Sequence, residues 1–234
     1  RYDDRAEIYA RGRPSYPAEA IEHVARPNER VLDLGAGTGI GTRLLAARGL
    51  YVVAVDGNVA MLDIARPAMA AAARAEVLPF RTASVDLVTA FNAFHWFQPE
   101  PFFEEARRVL RPDGRLALLW NDWDAGDAFT AAFVRLMRSR AGDFPPEDRE
   151  GEVAPLYATA RFADVQRTAF PNTHILDLPT LRLRLQSMSY IPKAGPAWDA
   201  LNDELTALFA AFADKHGCVR HRYETSVFVA RRMD

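Results

Sequence analysis

The sequence predicts an α/β fold in which seven strands form a doubly wound, mostly parallel sheet with helices on both faces. Three observations support this class. Apolar strand-like segments alternate with amphipathic helical segments over residues 15–120. The first strand-like segment runs into the closely spaced glycines Gly35, Gly37, Gly39 and Gly41, and the next one ends in Asp56. A glycine turn at the carboxyl end of a parallel strand is where open α/β sheets bind nucleotides.

The periodicity of apolar residues assigns the elements in chain order. Near-continuous or alternating apolar runs predict strands at residues 30–34, 51–55, 85–91, 115–120, 165–170 and 223–230. A complete fold would place its third strand at residues 69–73, although alanine is a poor strand former. Apolar stripes at helical spacing predict helices at residues 1–10, 15–25, 42–49, 58–66, 101–110, 128–140, 179–187 and 198–216. Between them, residues 111–114 predict a turn in which Gly114 supplies the unusual backbone angles, and residues 143–152 predict an exposed loop.

The breaks in this pattern predict the domain organisation. Residues 1–28 form an N-terminal lid and a first helix, and residues 29–121 form the nucleotide-binding core. Residues 122–162 are expected to be a cap insertion. Residues 163–234 return to the sheet and include a second helical cap segment at 178–198.

Composition sets the outer limits on function. The 234 residues are 49% apolar and 11% aromatic, which is enough for a full core. A net charge of −2 argues against a nucleic-acid surface, and no apolar run approaches the length of a membrane span. A single cysteine, Cys218, excludes internal disulfides and argues against a cysteine-based metal site. A cytoplasmic monomer or homodimer is expected, although the start at Arg1 leaves open residues upstream, including a removed targeting segment.

The spacing of the glycines indicates the kind of nucleotide. A dinucleotide fold has Gly-x-Gly-x-x-Gly, and neither Gly35 nor Gly37 starts that pattern here. The chain instead has Asp-x-Gly-x-Gly-x-Gly, which begins at Asp33. An acidic residue beside the turn attracts a cationic ligand and repels a pyrophosphate. Asp56, 21 positions after Gly35, is placed either to accept hydrogen bonds from ribose hydroxyls or to cap the helix that follows.

The Asp-x-Gly-x-Gly-x-Gly pattern resembles motif I of the class I S-adenosylmethionine-dependent methyltransferases. Over nearly the whole chain, further segments resemble small-molecule methyltransferases similar to trans-aconitate methyltransferase. They occur in the family's order, at residues 13–17, 75–80, 93–97, 108–114 and 189–192. The resemblance implies a Rossmann-like sheet, S-adenosylmethionine as cofactor, no metal, and a small-molecule methyl acceptor such as a carboxylate or a related polar metabolite.

The resemblance also implies roles for individual positions. Asp33 would lie near the ammonium of the methionyl part, Asp56 would hold the ribose, and Asn92 would face the sulfonium. The remaining cofactor residues would be those of the glycine turn, the adenine border and the N-terminal lid: Tyr9, Arg13, Gly35, Ala36, Gly37, Gly39, Gly57, Met61, Ala75 and Glu76. Met61 has an alternative place in the core. The family's adenine site often has an acidic residue followed by a small one, and here the order is Ala75-Glu76.

The substrate side is predicted from position at the carboxyl edge of the sheet. The candidates are Tyr16, His95, Trp96 and Tyr190. His95 is the candidate general base for a hydroxyl, amine or carbon acid, because imidazole titrates near neutrality; a packed histidine is the alternative. An ionised carboxylate acceptor needs no base. Trp96 is either a wall of the substrate site or part of the core, and Tyr190 has the alternative of an ordered helix end.

Arginines outside the core have two interpretations. Arg13 lies in a proline-bounded segment that is either a lid or a plain surface loop. The cap helices carry basic residues that either receive an anionic acceptor or form a solvated face: Arg135, Arg138, Arg140, Arg182, Arg184 and Lys193. Two rival functions stay open, a nicotinamide-dependent oxidoreductase and a cofactor-binding module without catalysis.

Overall fold

The computed structural model describes residues 12–140, 148–188, 191–192 and 194–233. Seven strands form one sheet in the order β3-β2-β1-β4-β5-β7-β6. They are β1 Arg30–Leu34, β2 Tyr51–Asp56, β3 Ala70–Ala72, β4 Val85–Phe91, β5 Leu110–Trp123, β6 Phe162–Leu176 and β7 Val219–Arg232. The helices are α1 Ala18–Val24, α2 Ile40–Ala46, α3 Val59–Ala65, α4 Pro99–Val109, α5 Ala128–Arg140, α6 Arg149–Ala158, α7 Leu178–Gln186 and α8 Pro196–Phe212. The predicted fold class is confirmed.

Parallel pairing brings the ends of the first strands to one edge of the sheet. Strand β1 pairs with both β2 and β4, β2 pairs with β3, and β4 pairs with β5, all in parallel. Asp33 lies opposite Thr89 on β4, and Leu34 lies opposite Val55 on β2. The register therefore places Asp56 beside the first residue after β1, which is Gly35.

The apolar residues of the strands divide between the two faces of the sheet. Successive residues point to opposite sides of a strand, and Val31 and Leu32 accordingly enter two different buried clusters. One cluster is covered by Phe102 and Phe103 of α4, and the other by Ile21 of α1. A sheet covered on both faces explains why its inner strands are near-continuous apolar runs.

The chain divides into two compact units. Among the described residues, the larger unit holds 16–121, 148–170 and 225–233. The smaller unit holds 12–15, 122–140 and 171–224, and it has its own apolar cluster built on Phe133, Leu185 and Leu205. No helix of the part of the chain that the structure describes is long and apolar enough to cross a bilayer.

One helix replaces part of a predicted loop. The expectation of an exposed loop as far as residue 152 is wrong, because α6 begins at Arg149. Asp148 caps this helix, and its carboxylate accepts the backbone N–H of Gly151 at 2.8 Å. The acidic residues that suggested a loop, Glu150 and Glu152, lie in the first turn, where the helix dipole favours negative charge.

The turn at residues 111–114 is present, but its strained position differs from the prediction. Val85 pairs with Leu110 and Leu87 pairs with Arg115, so the four residues between bulge out of β5. Asp113, with φ of 62°, adopts the left-handed conformation, and Gly114 does not. Gly114 is required for space instead, because a Cβ there would lie 2.8 Å from the carbonyl oxygen of Arg111.

Several predictions fall on residues outside the described ranges. They are the helix at 1–10 with Tyr9, residues 143–147 of the predicted loop, Tyr190 and Lys193.

Candidate active site

The glycine turn after β1 combines two kinds of glycine. Gly35, Gly37 and Gly39 all have positive φ, between 54° and 77°. A Cβ on Gly35 would lie 2.6 Å from the Cβ of Ala93, and one on Gly39 would lie 3.0 Å from that of Ala65. At Gly37 the nearest atom would be 3.9 Å away, in the same turn. Gly35 and Gly39 therefore allow close packing, whereas Gly37 borders open space that a ligand can enter.

Asp56 ties the second strand to this turn. One carboxylate oxygen accepts the backbone N–H of Gly37 at 2.8 Å, and the other accepts that of Asn58 at 2.8 Å. Each carboxylate oxygen can accept a second hydrogen bond. The helix-cap role is filled by Asn58, whose side chain accepts the N–H of Ala60. Asp56 thus fixes the turn and keeps acceptor capacity for ligand hydroxyls.

Asp33 lies beneath the turn and is almost fully buried, with 1% of its surface exposed. Its carboxylate accepts hydrogen bonds from the hydroxyls of Thr42 at 2.5 Å and Thr89 at 3.1 Å. Burial raises the pKa of the Asp33 carboxyl to about 6, and these hydrogen bonds limit the rise. At neutral pH the group is mostly ionised, so the turn is built over a negative charge.

Two further features fit a bound cofactor at this edge. The hydroxyl of Thr38, between Gly37 and Gly39, is buried and has no hydrogen-bond partner among the described residues. A Cβ on Gly57, just after Asp56, would have only the carbonyl oxygen of Ala73 near it, at 3.9 Å. The turn therefore offers an unused polar atom and two positions, Gly37 and Gly57, where the backbone is open to a ligand.

The predicted adenine border is held by its own contacts. Ala75 is buried in the core cluster, and Met61 of α3 is also buried. The Glu76 carboxylate accepts the backbone N–H of Gln98 at 2.9 Å and the side chain of Arg74 at 3.3 Å. Glu76 thereby fastens the loop after β3 to the start of α4.

The residues after β4 carry the predicted substrate contacts. Asn92 has a φ of 51°, and its N–H donates to the carbonyl of Leu119 at 2.7 Å. His95 and Trp96 lie in a short 3₁₀ helix, Phe94–Trp96, and both are exposed, with ring centroids 5.1 Å apart. Tyr16 is buried instead, with its ring edge-on to Phe91 at 4.9 Å.

In the smaller unit, Arg13 donates to the carbonyl oxygen of Ser187 at 3.3 Å. A Cβ on the preceding Gly12 would lie 2.7 Å from the carbonyl oxygen of Leu183, so this segment runs close against α7.

Comparison with known proteins decides the family. A methyltransferase domain model matches residues 32–118. An uncharacterized methyltransferase of Mycobacterium tuberculosis is 42% identical over 187 residues, which cover 78% of this chain and 74% of that protein. The chain belongs to the class I S-adenosylmethionine-dependent methyltransferases. A methyltransferase-like protein of Schizosaccharomyces pombe is 31% identical over 79% of this chain and 76% of that protein.

Solved structures of methyltransferases share the fold of this chain. A putative type II methyltransferase from Anaeromyxobacter dehalogenans has a TM-score of 0.75 and 26% identity, and the match covers 94% of this chain and 97% of that one. A phosphoethanolamine N-methyltransferase of Haemonchus contortus, crystallised with S-adenosylhomocysteine, shares the fold with a TM-score of 0.59 and 18% identity. That match covers 99% of this chain and 58% of that one. The narrower likeness to trans-aconitate methyltransferase stays a prediction.

Three residues of this candidate site were not predicted from the sequence. Thr42 and Thr89 hold Asp33, and Thr38 contributes the unpaired hydroxyl. Each is a single threonine in an apolar or glycine-rich context, which carries no signal in sequence. The register of β1 against β4 is what places Thr89 opposite Asp33.

Proposed function

We propose that this methyltransferase binds S-adenosylmethionine at the glycine turn and methylates a small polar acceptor, with carboxylates the first class to test. The observation that supports the cofactor site most directly is the bond from Gly37 N–H to Asp56. It fixes a turn whose backbone is open to a ligand at Gly37, and Gly57 next to Asp56 is open as well. The Thr38 hydroxyl, which has no hydrogen-bond partner in the described ranges, adds a polar atom for the ligand. In this proposal, the cofactor-binding roles of Tyr9 and Arg13 rest on the family resemblance alone.

The protein's part in the reaction is binding, orientation and exclusion of water. Bound at the glycine turn, S-adenosylmethionine would supply an electrophilic methyl group on a sulfonium sulfur for transfer to the acceptor. The ionised Asp33 below the turn favours a cationic ligand over a pyrophosphate. Asp56 would accept hydrogen bonds from the ribose hydroxyls with its remaining lone pairs. Asn92 lies directly after β4.

The acceptor determines whether the protein must move a proton. A carboxylate is already ionised at neutral pH and attacks without a base. A hydroxyl, amine or carbon acid needs one, and His95, exposed in the 3₁₀ helix after β4, is the candidate.

Calorimetry tests the cofactor assignment. We expect S-adenosylhomocysteine to bind and NAD to give no heat. Asp56→Asn should weaken binding by about 1–3 kcal/mol, because an amide cannot accept at both positions now held by N–H groups. Asp86→Asn is the matched control, since Asp86 also accepts a backbone N–H and an arginine, at the start of β4. Binding of NAD without binding of S-adenosylhomocysteine would refute the proposal.

Turnover is tested separately, by transfer of radiolabelled methyl to a panel of carboxylic acids, phenols and amines. Labelling of a carboxylic acid would support the acceptor class. Cofactor binding without transfer to any member would favour a binding module instead.

A further inference from the structure

The smaller unit contains a buried arginine whose hydrogen-bond partners among the described residues are all uncharged. Arg184 of α7 is only 3% exposed. Among the described residues its hydrogen-bond partners are two hydroxyls at long range, Tyr223 at 3.3 Å and Ser187 at 3.4 Å. Neither partner carries a negative charge. A buried cation without a counter-charge is costly unless a ligand neutralises it.

Another buried arginine of the same chain shows the ordinary solution. Arg115 in β5 is 8% exposed and forms a two-pronged pair with Glu29, with nitrogen–oxygen distances of 2.6 and 2.8 Å. It also donates to the carbonyl of Val24. Within the described residues Arg184 has no such partner, although the two guanidinium groups are buried to a similar degree.

The groups around Arg184 extend its donor character. The Tyr223 hydroxyl accepts from Arg184 and lies 3.1 Å from Nδ1 of His221, to which we assign its own proton. That assignment leaves the proton of His221 on Nε2, as a donor. Nε2 of His221 is buried and has no partner within the described residues, and His221 itself has no exposed surface. Ser187 donates its hydroxyl proton to the carbonyl of Arg184 at 2.6 Å.

The net charge of the group formed by His174, Arg184, His221 and Tyr223 does not change near neutral pH. Burial and the charge of Arg184 lower the pKa of His174 to about 4, and they lower the pKa of His221 well below its usual value. Both rings are therefore neutral, and the arginine carries the one positive charge of the group formed by His174, Arg184, His221 and Tyr223. A ligand with a single negative charge and only hydrogen-bond acceptors would balance it.

We propose that Arg184, with Tyr223 and His221, forms a buried binding site for the carboxylate of a small organic acid. The planar guanidinium matches the two oxygens of a carboxylate, and the unused N–H of His221 is a further donor to an acceptor-only group. The ligand class is the one proposed above for the methyl acceptor, but the site is defined by this unit's own residues and can be tested without cofactor or turnover.

The neighbouring arginine on α7 provides the matched control. Arg182 donates to the side chains of Asn202 at 2.7 Å and Thr206 at 3.2 Å. Its donors already have neutral partners on α8. Arg182→Met therefore removes the same charge from the same helix and leaves the proposed site intact.

Thermal unfolding tests the proposal with benzoate and succinate, each compared with its neutral amide at equal ionic strength. We expect at least one acid, and neither amide, to raise the Tm of the wild-type chain in a concentration-dependent manner. In Arg184→Met that shift should disappear, while the ligand-free Tm should equal or exceed the wild-type value because an uncompensated charge has been replaced by an apolar side chain. Arg182→Met should keep the shift.

Three outcomes would overturn the proposal. The first is an equal shift with acid and amide, or no shift with either acid. The second is a shift with inorganic phosphate alone. The third is retention of the shift in Arg184→Met. If Arg184→Met does not fold, Arg184→Lys can replace it, because lysine keeps the positive charge but lacks the planar pair of N–H donors. Arg184→Lys should bind the acid at least about tenfold more weakly than the wild type. Unchanged affinity in Arg184→Lys would also contradict the proposal.

Discussion

At the scale of single residues, a comparison of Gly37 with Gly49 distinguishes an effect on ligand binding from an effect of backbone strain. Gly37 and Gly49 both have positive φ, 54° and 80°, and a Cβ on either would meet no atom closer than 3.9 Å. Alanine at each position should cost a similar 1–2 kcal/mol of stability. We expect Gly37→Ala to lose at least about tenfold in affinity for S-adenosylhomocysteine, because its methyl group occupies space left for the cofactor.

Gly49→Ala is the control, since Gly49 lies just before the start of β2 and not at the carboxyl ends of the strands. It should show the same drop in stability with unchanged affinity in calorimetry. Equal affinities for the two variants would place Gly37 outside the cofactor site.

Asp33 should make stability fall with rising pH. Its pKa in the folded chain is about 6, above its ordinary value of 3.8, so the folded state holds the proton more tightly than the unfolded chain. Its stabilising contribution is complete below pH 4 and is lost as the pH rises through about 6, in total of order 2–3 kcal/mol. Asn at this position can still bond Thr42 and Thr89 but does not ionise.

The measurement is urea unfolding of wild type and Asp33→Asn between pH 4 and pH 7. As the pH rises, the free energy of unfolding of Asp33→Asn should increase by that amount relative to that of the wild type. Parallel curves for the two proteins would show that Asp33 does not titrate in this range.

At the scale of elements, prediction succeeded where local pattern and burial agree. Strands β1 and β4 and helix α5 have the predicted bounds. The sequence predicts strand β6 over residues 165–170 only, whereas the strand begins at Phe162 and includes Pro171. It continues to Leu176, since β6 is the edge strand of the sheet, where a missing N–H costs no ladder bond. Its alternate residues are exposed, which made the second half look polar in sequence.

Side-chain roles were less predictable than elements. The sequence placed Asp56 and the glycine turn at one edge, but the bonds of Asp56 to two backbone N–H groups depend on the register of β1 and β2. In α7 the arginines alternate with leucines, Leu181 to Leu185, so sequence alone could not tell which arginine is buried. Packing against β7 distinguishes them, through the contact of Arg184 with Tyr223.

The bulge in β5 yields a prediction at the same scale. Gly114→Ala should destabilise the protein by about 1–3 kcal/mol, because the new Cβ would overlap the carbonyl oxygen of Arg111. Asp113→Gly should be neutral or stabilising by up to about 1 kcal/mol, since glycine adopts a φ of 62° without strain. Chemical denaturation measures both. The reverse order of stabilities would show that Gly114, not Asp113, carries the unusual backbone conformation in solution.

At the scale of the whole molecule, the two compact units differ in how far sequence explains them. The larger unit carries motif I and is matched by the methyltransferase domain model over residues 32–118. The smaller unit falls outside that model, and its polar cluster has no sequence motif. Its chemistry follows from a helix and a strand meeting in space, which only the folded chain reveals.

Hydrogen exchange can therefore test the proposed cofactor site and the proposed carboxylate site in the same protein. S-adenosylhomocysteine should slow exchange in peptides that cover the turns after β1 and β2, where the N–H groups of Gly37 and Asn58 are bonded to Asp56. The acid that raises the Tm should slow exchange at the end of α7 and the start of β7, around Arg184 and Tyr223.

Arg184→Met separates the two effects. The variant should lose the protection given by the acid and keep all of the protection given by S-adenosylhomocysteine at the glycine turn, because the groups that bind each ligand differ. Loss of both patterns in this variant would mean that Arg184 supports the folded state as a whole. Protection by S-adenosylhomocysteine that omits residues 35–58 in the wild type would contradict the cofactor site directly.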